Sequence, residues 1–205
     1  MELNWDKTVQ MQILTSSSVT RPTGEPIKIV SQVIYLGGLI TNDGRVGHEL
    51  NRRLGEGNAI FQELCKVWNH SSIGRTRKQH IYISCVISKL LYSLESLWLL
   101  KHDKQRLDAF HCKCLRKILG IPHSYYSRVS NATVLERAGS MPLSDMLRDR
   151  QAQAYRKIVA QDNHSLVKCL VCDEGGAPKN WAEHRRRGRP RQQWAQYVYK
   201  AQEEL

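Results

Sequence analysis

The spacing of apolar and polar positions changes near residue 45. Before it, apolar residues come in short β-type runs. Val9, Met11 and Ile13 alternate with polar neighbours until Ser16-Ser17-Ser18 breaks the pattern. Arg21-Pro22-Thr23-Gly24-Glu25-Pro26 signals a turn, residues 27–40 are rich in Ile and Val, and Asn42-Asp43-Gly44 signals another turn. This part predicts strands and a hairpin. Beyond it the period is helical. Leu50, Leu54, Phe61, Leu64, Cys65 and Trp68 recur at spacings of three, four and seven, which predicts a helix over residues 46–69, weakened locally by Gly55 and Gly57.

After the linker Ser71-Ser72-Ile73-Gly74, a second helix is predicted over residues 75–99. Ile81, Val86, Ile87, Leu90, Leu91, Leu94 and Trp98 cover most of its circumference, which suits the centre of a bundle. A third, over residues 103–119, aligns Leu107, Phe110, Cys114, Leu115 and Ile118, with Gly120 as C-cap and Pro122 as stop. Asn131 is expected to cap a short helix carrying Val134 and Leu135. Ser140 precedes another helix, with Pro142 in its first turn and a stripe of Leu143, Met146, Leu147, Ala154, Tyr155 and Ile158. Residues 162–191 lack periodicity and are expected to be irregular, while Trp194, Tyr197 and Val198 suggest a closing helix. The fold class is mainly α, a helical bundle with a small N-terminal β-hairpin.

A chain of 205 residues with 41% apolar content can bury a real core, so wholesale disorder is not expected. The formal net charge of +12 is unevenly placed. Residues 1–44 carry three basic and four acidic side chains, residues 45–120 fourteen against six, and residues 121–205 fourteen against nine. Such an excess points to a surface that meets a polyanion, although a merely soluble basic protein would share it. No apolar stretch approaches the roughly 20 residues of a membrane span. The longest, residues 81–100, is broken by Ser84, Ser88, Lys89, Ser93, Glu95 and Ser96. The N-terminus lacks the pattern of a signal peptide, so an intracellular chain, in nucleus or cytoplasm, with free thiols is expected. Cys65, Cys85 and Cys114 fall at apolar helical positions and read as core packing.

Four patterns in order resemble the reverse transcriptases (RNA-directed DNA polymerases) of LINE-type, non-LTR retrotransposons. Leu3-Asn4-Trp5-Asp6-Lys7-Thr8 resembles the stretch that follows the catalytic Asp-Asp turn of the palm. Val33-Ile34-Tyr35-Leu36-Gly37, followed by Ile40, Asp43 and Gly44, resembles the hairpin that grips the primer terminus. Arg106-Leu107 and Ala109-Phe110, with residues 114–121 (Cys-Leu-Arg-Lys-Ile-Leu-Gly-Ile), resemble the family's helix ending Arg-Ile-Leu-Gly-Ile. Arg187-Gly188-Arg189-Pro190 and Trp194 resemble its C-terminal segment. The resemblance implies a palm remnant over residues 1–44, a helical thumb over 45–120 and a C-terminal extension over 121–205. It also implies, as partners, an RNA and DNA template-primer and the upstream palm and fingers of the same polyprotein. Polymerisation in the family needs Mg²⁺ held by aspartates. No Asp-Asp pair occurs among these residues. The expectation is therefore a fragment that binds no cofactor and does not extend a primer alone.

Candidate residues follow, each beside a plainer reading. By resemblance Lys7 is the palm lysine near the incoming triphosphate; otherwise it is a surface lysine near a terminus. Tyr35, Leu36 and Gly37 match the primer grip, where a tight hairpin brings backbone close to the primer; otherwise they form a turn with a buried Tyr. Arg52 and Arg53 on the first helix, Arg75, Arg77 and Lys78 opening the second, and Lys113, Arg116 and Lys117 ending the third are candidate contacts to nucleic-acid phosphates. They could equally be solvated faces, and cations at a helix C-terminus also suit its dipole.

The segment of residues 184–191 holds Arg185, Arg186, Arg187, Arg189 and Arg191 without an acid. It reads as a turn before the last helix with phosphate affinity, or as an AT-hook, whose arginines enter a narrow minor groove. Cys169 and Cys172, with His164 and His184, invite a zinc reading, but no further Cys follows. Two other functions stay open: a nuclear DNA-binding protein using the Arg-Gly-Arg-Pro segment, and a degenerate element copy without activity.

Overall fold

The structure, a computed structural model, describes residues 3–179 and 193–203. It is mainly helical with one two-stranded sheet near the N-terminus, as the hydrophobic pattern predicts. The chain divides into two compact units, Met1–Arg52 and Arg53–Leu205. Helices on both sides of residue 120 lie in the second unit.

In the first unit β1 (Gln32–Tyr35) pairs antiparallel with β2 (Gly38–Thr41), Val33 opposite Ile40 and Tyr35 opposite Gly38. The two loop residues Leu36 and Gly37 both have left-handed backbone, φ 47° and 81°. A two-residue reversal of this kind matches the right-handed twist of the strands. The alternation at Val9, Met11 and Ile13 forms no strand; only Gln10 bridges to Ile29. The cause is local competition. The Gln10 side chain donates to the Ser17 carbonyl at 2.7 Å and accepts from the Val19 amide at 2.9 Å, and Gln12 also donates to Ser17 at 3.0 Å. These bonds fold the segment into a loop. At the predicted Asn42-Asp43-Gly44 turn, the Asp43 carboxylate accepts from the Thr41 hydroxyl and the Arg45 amide. Those bonds lower its pKa, the Thr41 hydroxyl most of all.

The predicted first helix is two helices, α1 (Gly47–Glu63) and α2 (Cys65–Asn69). Leu64 sits at φ −84°, ψ 13° between them, and the Trp68 indole donates to the Phe61 carbonyl at 2.7 Å while its ring stacks on Phe61 at 5.0 Å. The indole bond takes the place of a backbone one at the break. Gly57 stays helical, and a Cβ there would meet Leu90 at 3.6 Å and Phe110 at 3.7 Å, ordinary contact distances.

The predicted second helix also ends early. α3 (Arg75–Ile81) runs through a π-helical stretch, Tyr82–Ile87, into α4 (Ser88–Leu91). Ser93 then turns with φ 66°, and the chain buries Leu94 and Leu99 by reversing rather than by continuing the helix. Gln151 holds the extended piece by donating to the Leu97 carbonyl at 2.8 Å. Nor is this helix apolar all round: Ile83, Ser84, Cys85, Ser88 and Lys89 face solvent. Cys65 and Cys85 are accordingly exposed, a correction to their reading as core residues, whereas Cys114 is buried.

α5 (Lys101–Leu119) has the predicted extent and buries Leu107, Cys114, Leu115 and Ile118. Gly120, at φ 69°, donates its amide back to the Arg116 and Lys117 carbonyls as the expected C-cap. α6 (Ser124–Ser127) and α7 (Asn131–Ala138) follow; the α7 cap is Ser130, whose hydroxyl accepts from the Thr133 amide, and not Asn131. α8 (Leu143–Val159) buries Leu143, Leu147, Gln151, Ala152 and Tyr155. The stretch predicted to be irregular contains α9 (Leu166–Val171). The closing helix is α10 (Trp194–Glu203), which packs Val198 against Ala152 and Tyr155 of α8.

Candidate functional site

The end of α5 is where charge, burial and open space coincide in the second unit. A groove of about 640 Å³ is lined by Trp68, the loop over residues 69–74, Arg75, Lys78 and the segment over residues 116–122. A second, of about 590 Å³, shares Trp68, Arg116, Lys117 and Ile121 with it and adds Phe61, Cys65, Lys113, His123, Ser124 and Asn131 among its walls. Among the described residues, five Lys and Arg side chains line the pair, together with His70 and His123, and no Asp or Glu lines either groove. Lysine and arginine side chains gathered on a concave surface favour anions there.

The five cations divide by environment. Lys78 is buried, and its ammonium donates to the Trp68 carbonyl at 2.8 Å in the last turn of α2. Arg116 is 7% exposed. Its guanidinium donates to the Val129 carbonyl at 2.6 Å, the Asn131 side chain at 3.1 Å, the Pro122 carbonyl at 3.4 Å and the Ser127 hydroxyl at 3.5 Å. It therefore fastens the loop over residues 121–131 to the end of α5, through neutral acceptors alone. Arg75, Lys113 and Lys117 are exposed, and their side chains make no hydrogen bond or ion pair to the described residues. These three are the charges available to a ligand.

The other sequence-predicted residues lie elsewhere. Arg77 is exposed but lines neither groove. Arg53, expected on a polar face, is 1% exposed; it donates to the Lys89 carbonyl at 3.4 Å, pairs with Glu56 at 3.6 Å and lies over the Tyr92 ring at 5.0 Å. In the first unit Arg52 donates twice to the Glu49 carboxylate, at 2.8 and 2.7 Å, and to the Gly37 carbonyl at 2.7 Å. Glu49, 2% exposed, accepts in turn from the Leu39 amide at 3.1 Å. The pair thus braces the hairpin turn. Tyr35 and Leu36 at its tip are 64% and 77% exposed, so the plainer reading of a buried Tyr is corrected. Lys7 is exposed in a turn that Asn4 closes by accepting the Lys7 amide. Arg185, Arg186, Arg187, Arg189 and Arg191 lie outside the described residues, as does His184.

One buried polar chain lies away from the grooves' cations. Tyr82 hydroxyl and His111 Nδ1 are 3.0 Å apart, and His111 Nε2 is 3.1 Å from the Ser140 hydroxyl. With Nδ1 accepting from Tyr82, Nε2 carries the proton and donates to Ser140. Burial lowers the His111 pKa to about 4 and raises that of Tyr82. Burial also pushes the neighbouring Cys114 thiol up to about 12, so neither it nor the phenol ionises near neutrality.

At the suggested zinc motif Cys169 is exposed and donates to the Asn163 carbonyl, while Cys172 is buried. Among the described residues no group of three or more His, Cys, Asp or Glu side chains is placed to hold a metal ion. Likewise, none of the described helices is long and apolar enough to cross a membrane.

The sequence pattern did not single out His70, His123, Tyr125 or Tyr126, all in or beside the grooves. The available signal was a Tyr-Tyr pair within a polar loop that follows a cationic helix end. Comparison with family models, curated proteins and solved structures finds no match to this chain.

Proposed function

We propose that the unit Arg53–Leu205 binds a polynucleotide by its phosphates in the paired grooves at the end of α5, the part a thumb plays in the LINE-type reverse transcriptases that the sequence resembles. The observation that carries this reading is the acid-free lining with Arg75, Lys113 and Lys117 exposed in it. Phosphate contacts of this sort position a strand without reading its bases. In the first unit, the braced and exposed tip at Tyr35, Leu36 and Gly37 is the element this reading assigns to the primer strand.

The test is fluorescence anisotropy of the full chain with RNA–DNA hybrid, duplex DNA and single strands at two salt concentrations. If the three exposed cations neutralise three phosphates, raising salt from about 50 to 200 mM should weaken binding about 40-fold. Lys117→Ala should reduce the salt slope by about one charge. A Lys113→Glu, Lys117→Glu variant that binds as tightly as the parent, with the same slope, would remove this groove from the account of binding.

A further inference from the structure

Directly after the groove-lining residues His123 and Ser124 come two tyrosines with most of their surface exposed. Tyr125 and Tyr126 are 67% and 79% exposed, on the single turn of α6. Their ring centroids are 5.3 Å apart at 88°, so the two rings form a corner with differently directed faces. The Arg128 guanidinium lies over Tyr125 at 5.4 Å.

This turn is held firmly for so small an element. His123 accepts the Tyr125 amide at 3.2 Å, the Arg128 amide donates to the Ser124 carbonyl at 3.0 Å, and Arg116 reaches the Ser127 hydroxyl. His123 and Ser124, immediately before the tyrosines, are walls of the groove that also contains Lys113 and Lys117. The same buried arginine thus fixes both the phosphate-attracting groove and the aromatic corner beside it.

Exposed ring faces beside an acid-free groove suit one chemistry above others: a base with its own face uncovered, attached to a phosphate in the groove. Bases inside a duplex have both faces occupied by their neighbours and cannot use such a corner. We propose that Tyr125 and Tyr126 form a stacking platform for unpaired bases of a strand whose phosphates lie in the groove of Lys113 and Lys117, so that this unit favours nucleic acid with a single-stranded extension over a blunt duplex. The proposal rests on the phosphate-binding reading of that groove.

The experiment compares a blunt duplex, the same duplex with an oligothymidylate overhang, and one whose overhang consists of abasic nucleotides, all with the full chain. Stacking of one base is worth about five- to 150-fold in affinity, so the oligothymidylate overhang should tighten binding by about tenfold or more and the abasic overhang much less. Replacing both residues, Tyr125→Ala with Tyr126→Ala, should abolish that gain while leaving blunt-duplex affinity unchanged. Tyr125→Phe with Tyr126→Phe should keep it. An equal gain from the abasic overhang, or a gain that survives the double alanine change, overturns the platform and leaves the groove standing. If Lys113→Glu with Lys117→Glu also leaves blunt-duplex affinity unaltered, the groove reading falls and the platform falls with it.

Discussion

Replacing Arg116 by alanine would leave the Val129 and Pro122 carbonyls and the Asn131 side chain without the donor that now reaches them. Buried acceptors left unpaired cost of order 1–3 kcal/mol each where water cannot reach them. Arg116→Ala should therefore lower stability in urea unfolding by about 2–4 kcal/mol. Lys117→Ala, one residue on and exposed, should stay within about 0.5 kcal/mol of the parent. The sequence shows both as a basic pair at a helix end and has no means of separating them. Burial does so, because it depends on where the loop over residues 121–131 lies. His111 is a second case. Its folded pKa, about 4, lies below the ordinary 6.5 because burial disfavours the cation. The unfolded chain therefore binds the proton more readily. Stability is complete above about pH 6.5 and falls as the pH drops towards 4, by about 3 kcal/mol in all. Urea midpoints measured across that window should show this decline, and His111→Gln should flatten it.

Among the elements, α5 and the hairpin were legible because two signals agreed in each. The stripe of α5 ends at a glycine followed by a proline, and the Ile- and Val-rich run contains a Leu-Gly reversal. The break at Leu64 and the end of the second helix at Leu91 were not legible, since in each case the apolar period continues past the break. What stops the first helix is an indole reaching a carbonyl seven residues back, and what stops the second is a left-handed Ser93 that lets Leu94 and Leu99 turn into the core. Both are tertiary choices that a period cannot encode. The glycines give a test at this scale. Gly120→Ala should destabilise by about 1 kcal/mol, because its left-handed backbone disfavours a Cβ even though nothing lies within 4 Å of one. Gly57→Ala should be neutral or stabilising by up to about 1 kcal/mol, because its backbone is helical and the added methyl meets Leu90 and Phe110 at ordinary contact distance. Opposite shifts in urea midpoint would confirm that backbone conformation, not glycine as such, decides the sign.

Across the whole chain, the basic excess of +12 was legible from composition, but its meaning changes once side chains are placed. Of the eight cations predicted on the helices, Arg52 and Arg53 brace their own units, and Lys78 and Arg116 satisfy backbone carbonyls. Only Arg75, Lys113 and Lys117 are both exposed and gathered in the grooves. Net charge therefore overstates the number of counterions that binding at this site would release. The tyrosines beside the site were invisible to a search for charge runs, and became conspicuous only as uncovered area.

The exposed thiol of Cys65 gives this surface a chemical address. It stands exposed in the wall of the groove with Lys113 and Lys117, whereas Cys112, which lines the same groove, and Cys114 are buried. A single maleimide-linked fluorophore placed at Cys65, with Cys85 and Cys169 changed to serine, would sit where phosphates are expected to arrive. Occupancy of the groove could then be followed from the protein's side in real time, by a reporter that the fold itself has positioned.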